Sequence, residues 1–375
     1  MHTKMAGLYI HVPFCLSKCR YCSFYSVTSS ELLDEFVEAV PREITFYKDT
    51  FSSFDTVYFG GGTPSLLTIR QVETILEAAH KHLNLSPQAE ITMEVNSGDV
   101  SLEYFQSLHK LGINRLNIGV QSFDDSLLKF LGRRHTAKQA TESIATARTA
   151  GFANLGFDLI YGVHGQNLKT WRQTLKKTLS FFPEHLSCYQ LSLDRKTPLY
   201  RQYKQEDIGL TPDDEALDFF ITTSKVLTKA GYIHYEVSNF ARTHHFESRH
   251  NKKYWNHKPY LGLGPAAHSF SNNRRWWNKA DVKTYLKDIG SGKKPVVKSE
   301  KLSTEQMALE ALFLGMRTAD GVDLKSFRKL YGLDLLTGKK RIIEALIDNK
   351  LVDLKNNRLC PTLAGMAVAD SLALI

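Results

Sequence analysis

The chain has no run of about 18 apolar residues, so no membrane-spanning helix is expected. Its first residues hold no apolar core of signal-peptide length, and the reading expects a cytoplasmic protein rather than a secreted one. Cysteine is scarce: five in 375 residues, an odd number. Three of the five, Cys15, Cys19 and Cys22, fall within eight positions. That pattern excludes the disulfide framework of a secreted scaffold and reads as a metal site in a reducing compartment. Internal repeats and low-complexity tracts are missing. Acidic residues are outnumbered, 39 Asp and Glu against 48 Lys and Arg, for a formal charge of +9. A basic balance admits nucleic acid, acidic lipid or an anionic small molecule, and a solvated lysine-rich surface is the plain alternative. Part of the excess is concentrated between Arg242 and Lys258.

What is present is an ordinary globular mixture, 42% hydrophobic and 23% charged. The length allows two or three domains, or one large α/β domain with an addition. Strand-like runs occur at residues 7–12, 55–59, 90–95, 114–120, 154–160 and 185–193, with helical stretches between them. Val72, Ile75, Leu76, Ala79 and Leu83 share one helix face, as do Leu102, Phe105, Leu108 and Leu111. Six strand–helix units predict an α/β fold with a parallel sheet, open or curled into a barrel. Parallel strands place ligands at their C-terminal ends. The Cys cluster, Gly60-Gly61-Gly62, Glu94 with Asn96, and Gln121 all fall at such ends, which points to one shared site.

After about residue 232 the chain becomes rich in His, Trp, Tyr, Arg and Asn. Residues 291–295 resemble a linker. Helical patterns then lead to a short hairpin near 351–360, which suggests a small winged-helix-like unit. The expected division is a barrel over 1–240, a His/aromatic/basic connecting segment over 241–295, and a mainly helical C-terminal domain over 300–375.

The Cys15–Cys19–Cys22 spacing, C-x3-C-x2-C, gathers three thiols around one centre. Structural zinc wants four protein ligands, and a zinc knuckle completed by a histidine such as His11 is the alternative. Thiolates are the ordinary ligands of iron–sulfur clusters, and three of them leave one iron open. With Tyr21 before the last Cys, the motif resembles the signature of radical S-adenosylmethionine (SAM) proteins. The resemblance implies a [4Fe-4S] cluster on Cys15, Cys19 and Cys22, SAM on the open iron, and a partial (β/α)6 barrel. Gly60-Gly61-Gly62-Thr63-Pro64 is not a P-loop; one strand after the Cys cluster, it resembles the turn that holds the methionine amino group. Glu94 ends a buried parallel strand, where a carboxylate is either paired or functional.

Further motifs narrow the resemblance: His11-Val-Pro-Phe-Cys15, Gly60-Gly-Gly-Thr-Pro-Ser65, Asn117-Ile-Gly-Val-Gln-Ser122, Leu131-Gly-Arg-Arg-His135 and Tyr235-Glu-Val-Ser-Asn239. Together they resemble the oxygen-independent coproporphyrinogen III oxidase family, over nearly the whole chain. That likeness implies SAM contacts at Tyr9, Tyr21, Gly61, Gly62, Thr63, Glu94, Gln121, Arg133 and Asp158. Three departures favour a sister group, the HemW-type haem chaperones. The arm before Cys15 is short, Phe24 stands where the oxidase has a further Cys, and His250-Asn251-Lys252-Lys253-Tyr254-Trp255 forms an H-N-x-x-Y-W motif.

Within that motif His250 is the expected haem ligand, Tyr and Trp suit a flat macrocycle, and Arg242, Arg249, Lys252, Lys253 and Lys258 suit propionates. The expected function is haem binding and transfer to apo-cytochrome acceptors. The alternative is enzymatic: SAM-dependent oxidative decarboxylation of coproporphyrinogen III in porphyrin biosynthesis. An RNA-modifying radical SAM enzyme is a third reading, but no RNA-binding module is recognised and no nucleic-acid partner is expected. Peripheral contact with a membrane stays open. Cys188 and Cys360 are expected to be small buried hydrophobes.

Overall fold

The structure, a computed structural model, describes residues 5–372. Six parallel strands neighbour one another in chain order: β1 (Ala6–Val12), β2 (Phe54–Gly61), β3 (Leu85–Asn96), β4 (Arg115–Gln121), β5 (Leu155–Tyr161) and β6 (His185–Gln190). All six fall where the sequence placed them, with boundaries shifted by a few residues. Between them run α1 (Leu33–Thr45), α2 (Ile69–His82), α3 (Leu102–Lys110), α4 (Asp125–Leu131), α5 (Ala137–Thr149) and α6 (Leu168–Leu179). Side chains of Thr68, Ser101, Asp124, Thr136 and Asn167 accept backbone N–H groups at the starts of α2 to α6. These caps satisfy donors that the first helical turn leaves free, and so fix where each helix begins.

The strands alternate strictly, because successive side chains of a strand point to opposite faces. One face carries Leu8, Ile10 and Val12, then Val57 and Phe59, Met93 and Val95, Leu116 and Ile118, Phe157 and Leu159, Leu186 and Cys188, all buried in one hydrophobic core. The other face carries Tyr58, Glu94 and Asn96, Arg115 and Asn117, Asp158, His185 and Ser187, which line a common cavity. A sheet whose strands β2 to β6 all face one cavity is curled, and this is the partial barrel. Its inside is polar and its outside is covered by helices.

The parallel set is extended on both edges. β7 (Ile233–Glu236) and β8 (Asn239–Ala241) form a hairpin whose β8 runs antiparallel to β6. On the other side β9 (Tyr260–Leu263) pairs parallel with β1. β10 (His268–Ser271), β11 (Arg274–Asn278) and β12 (Val296–Lys301) follow antiparallel, completing a twelve-stranded sheet. Residues 291–295 turn the chain from the helix Val282–Gly290 into β12.

Beyond β12 a helix, Thr304–Gly315, leads into a small unit. Its three-stranded sheet holds β13 (Val322–Asp323), β14 (Val352–Lys355) and β15 (Arg358–Pro361), the last two being the expected hairpin. Leu312, Met316, Phe327, Ile343, Val352 and Leu359 form its separate core. Among the described residues no helix is long and apolar enough to cross a membrane.

Candidate functional site

The loop between β1 and α1 closes over the C-terminal ends of the strands. Its Cys15, Cys19 and Cys22 line a cavity of about 490 Å³, within the range of small-molecule sites. The same cavity takes Tyr21, Gly61, Gly62, Thr63, Glu94, Gln121, Arg133 and Asp158, so eight of the nine expected contacts come together with the three thiols. Tyr9 is not among the lining residues. It packs behind them, its ring 6.1 Å from that of Tyr58 and its hydroxyl 3.2 Å from His11 Nδ1.

A chain of hydrogen bonds ties the Cys loop to the strand ends. Arg133 Nη1 lies 3.5 Å from Cys19 Sγ, and Arg133 Nη2 donates to Asn96 Oδ1 at 2.9 Å and to the Gly119 carbonyl at 3.0 Å. Asn96 Nδ2 donates to Thr63 Oγ1 at 2.9 Å, and Thr63 Oγ1 lies 3.5 Å from Cys15 Sγ. Two thiols thus rest on one polar network. Burial pushes the Cys22 thiol above its ordinary range, and the neighbouring Cys19 and Cys15 add to this. Among the described residues no three of His, Cys, Asp and Glu converge as a single ion would require. His11, the histidine of the zinc-knuckle alternative, has both ring nitrogens engaged, Nε2 2.8 Å from the Tyr25 carbonyl and Nδ1 3.2 Å from the Tyr9 hydroxyl. Thiolates of an iron–sulfur cube each bind a different iron and need not meet at one point.

The glycine turn fits a ligand held close to the backbone. Gly61 has φ +109°, and a Cβ on Gly62 would stand 2.6 Å from the Phe14 carbonyl oxygen and 3.0 Å from Cys15 Sγ. Only glycine leaves this space open. Gln121 ends β4 with φ 63°, beside a register shift between Gly119 and Gln121 against β5. Such local strain at a cavity wall is typical of binding sites.

Glu94 accepts a hydrogen bond from the Tyr58 hydroxyl at 2.9 Å. Burial, with nearby Asp158 adding repulsion, pushes its carboxyl up to about 7. Burial likewise raises the Asp158 carboxyl, against the bond it accepts from Asn117 Nδ2 at 2.7 Å. Its Oδ1, and Nε of Arg133, are buried without a partner. Unmatched buried groups are uncommon, and here they face the cavity. These observations fit the implied groups: three thiols for a cluster, and carboxylates, an amide and a guanidinium for the amine, hydroxyls and carboxylate of SAM. When bound, a cluster of this type would supply an electron for reductive cleavage of a carbon–sulfur bond of SAM, with Cys15, Cys19 and Cys22 as the residues that would hold it.

His250 stands elsewhere. It is 1% exposed, with Nδ1 2.8 Å from Thr56 Oγ1 and Nε2 2.8 Å from the Tyr254 hydroxyl. Both nitrogens are engaged, so the structure does not present the free imidazole expected of an iron ligand. Its helix, Arg249–Trp255, plugs the N-terminal end of the barrel, with Glu90 accepting the N–H groups of Arg249 and His250 at 3.2 and 3.0 Å. The neighbouring cations are also occupied. Arg249 and Lys253 pair with Asp55, Lys252 with Glu247, and Arg242 with Glu184. Of this motif only Asn251 reaches the cavity. Cys188 is buried on the outer face of β6. Cys360 is partly buried and donates to the Asp320 carbonyl at 3.3 Å.

Sequence reasoning passed over Arg115, His185, Ser187 and Tyr189, all in the cavity wall. The signal was available: Arg115, Asn117, Gly119 and Gln121 recur at period two along β4, as do His185, Ser187 and Tyr189 along β6, marking one face.

Curled parallel sheet, thiol triplet, glycine turn and polar strand ends define a radical SAM protein. The Radical SAM superfamily model matches residues 9–178, and the HemN C-terminal domain model matches residues 302–368. The chain is similar to "Heme chaperone HemW" of Lactococcus lactis, 34% identical over 99% of this chain and 97% of that one. Its counterpart in Synechocystis is 36% identical over 84% of this chain and 78% of that one. The chain belongs to this HemW family of radical SAM proteins. In fold it matches the solved coproporphyrinogen III oxidase (HemN) of Escherichia coli, with a TM-score of 0.86, 21% identity, and 99% of this chain and 90% of that chain covered.

Proposed function

We propose that this protein is a haem chaperone of the cytoplasm, which binds haem and passes it to apo-cytochromes, with a [4Fe-4S] cluster and SAM resident in the barrel. Cys15, Cys19 and Cys22 hold the cluster. Tyr21, Gly61, Gly62, Thr63, Glu94, Gln121, Arg133 and Asp158 bind SAM, and Tyr9 packs with Tyr58 and Glu94 around Gly60 behind them. The observation that carries the reading is the end-to-end likeness, 34% over 99% of the chain, to a protein described as a haem chaperone.

The test uses anaerobically reconstituted protein. In one arm haem is titrated and the loaded protein is mixed with an apo-cytochrome. In the other, coproporphyrinogen III, SAM and a reductant are supplied. Haem binding and transfer without porphyrinogen turnover is the expected result. Turnover without haem binding replaces the chaperone reading with that of an oxidase.

A further inference from the structure

Deep in the barrel, three buried polar groups point at the same small space. Arg115, 1% exposed, leaves Nε and Nη2 without a hydrogen-bond partner. His185, also 1% exposed, leaves Nδ1 unpaired, and Asn117, 7% exposed, leaves Oδ1 unpaired. They converge over Gly156 of β5. A Cβ placed there would stand 2.5 Å from Asn117 Oδ1, and 3.4 Å from both Arg115 Nη2 and His185 Nδ1. All three residues line the cavity. Gly156 lets these side chains from β4 and β6 pack close against the backbone of β5.

The proton arrangement follows from the surroundings. The Tyr235 hydroxyl accepts the Ser248 N–H at 3.2 Å and lies 2.7 Å from His185 Nε2. The O–H of Tyr235 needs an acceptor and His185 Nε2 is the one in reach, so the hydroxyl is assigned as donor to Nε2, which leaves the ring proton on Nδ1. Burial and the nearby Arg115 cation keep the ring neutral by lowering its pKa well below the ordinary range. The space is therefore bounded by guanidinium N–H groups and an imidazole N–H, beside the Asn117 amide oxygen. Arg115 lies close enough to Asp158 to favour its charged form, but makes no ion pair with it within salt-bridge distance. A buried guanidinium without a carboxylate is costly, and a planar bidentate anion is its best match.

We propose that Arg115 and His185 form a carboxylate subsite at the floor of the cavity. Its ligand is a carboxylate side arm of the molecule held in the barrel. On the haem reading above, on which this assignment of the source rests, that arm is a propionate. A second source with the same chemistry is the methionyl carboxylate of SAM.

The experiment compares paired ligands on reconstituted protein, wild type and Arg115→Gln. Haem is titrated beside haem dimethyl ester, and SAM beside decarboxylated SAM. One charge-assisted contact corresponds to roughly a tenfold to hundredfold preference for the acid. The wild type is expected to prefer haem to its diester by at least about tenfold, and Arg115→Gln to erase the preference. If the wild type binds no haem, the chaperone reading fails; a SAM preference over its decarboxylated form that Arg115→Gln erases then supports the subsite with SAM as source. Where Arg115→Gln does not fold, Arg115→Lys is expected to keep a reduced preference. Equal binding of acid and derivative by the wild type in both pairs overturns the subsite, as does a preference that survives Arg115→Gln unchanged.

Discussion

Glu94 is held in the folded protein near a pKa of about 7, against an ordinary 4.5, mainly by burial. Between these values the folded state keeps a proton that the unfolded chain has released. Stability therefore falls as pH rises from about 4.5 to about 7 and is level above. Glu94→Gln keeps an acceptor for Tyr58 and removes the charge. In cofactor-free protein it is expected to be more stable than wild type at pH 8, by up to about 3 kcal/mol, and to lack that slope. Denaturant unfolding at pH 5 and pH 8 checks this; parallel pH profiles would refute it. The same variant is expected to weaken SAM about tenfold or more by calorimetry, since a charge-assisted acceptor becomes a neutral one. For the thiols, Cys15→Ala, Cys19→Ala or Cys22→Ala should each prevent a full complement of about four irons, whereas Cys188→Ala, buried on the opposite face of the sheet, should keep it. The thiols and Glu94 were legible because unusual residue types stood at strand ends. The role of His250 was not: its partners Thr56 and Tyr254 are 194 and 4 residues away, and only the fold shows that both nitrogens are taken. His250→Ala should lower stability by roughly 2–4 kcal/mol, through two unsatisfied hydroxyls and a cavity, and leave the haem spectrum in place. A lost Soret band in a variant of undiminished stability would restore His250 as the ligand.

The elements that build the site are β1 and β2 with the turns that follow them. Their period of two sends Leu8, Ile10 and Val12 into the core and leaves the opposite face for the ligand. The Gly62 N–H donates to the Val12 carbonyl at 2.8 Å, which joins the glycine turn to the root of the Cys loop. Gly62→Ala would force a methyl against the carbonyl oxygens of Phe14 and Val12, at 2.6 and 2.9 Å. Backbone cannot yield there without moving Cys15. The variant is expected to reconstitute with clearly less iron and to lose about 1–3 kcal/mol of stability, read by iron analysis and thermal melting. Full iron content would show that the turn and the Cys loop are independent. The β/α alternation of the first half could be read because each unit is local: a strand, a cap and an amphipathic helix. The strands β9 to β12 were not read, because they are only four to six residues long and carry little clean alternation. The pairing of β9 with β1 brings together residues some 250 positions apart, which no local period records.

At the scale of the molecule, the C-terminal unit is fixed to the barrel through a small, well-bonded seam. Glu236, at the end of β7 and almost fully buried, accepts Arg317 Nε at 3.2 Å and Nη2 at 3.0 Å. Arg317 also reaches Asp370 at 3.0 Å, and two backbone bonds cross the seam: Val237 N–H to the Arg317 carbonyl at 3.0 Å and Ala319 N–H to the Tyr235 carbonyl at 3.0 Å. Tyr235 is the residue that sets the proton on His185, so the seam lies one side chain away from the cavity floor. Truncating Arg317 to Ala leaves Glu236 with its bonds from Ser238 N–H and Asn239 Nδ2, but removes its cation. A buried carboxylate that loses its charged partner costs about 3–5 kcal/mol when fully isolated, and less where two donors remain. The small unit has its own core, so this loss falls on the docking rather than on either interior. Arg317→Ala is therefore expected to split a single thermal transition into two and to speed amide exchange at residues 235–239 and 316–319, while exchange in β1 to β4 stays slow. Unchanged exchange at the seam would mean that its backbone bonds, together with the pairs of Glu310 with Arg275 and His257, hold the two parts without Arg317.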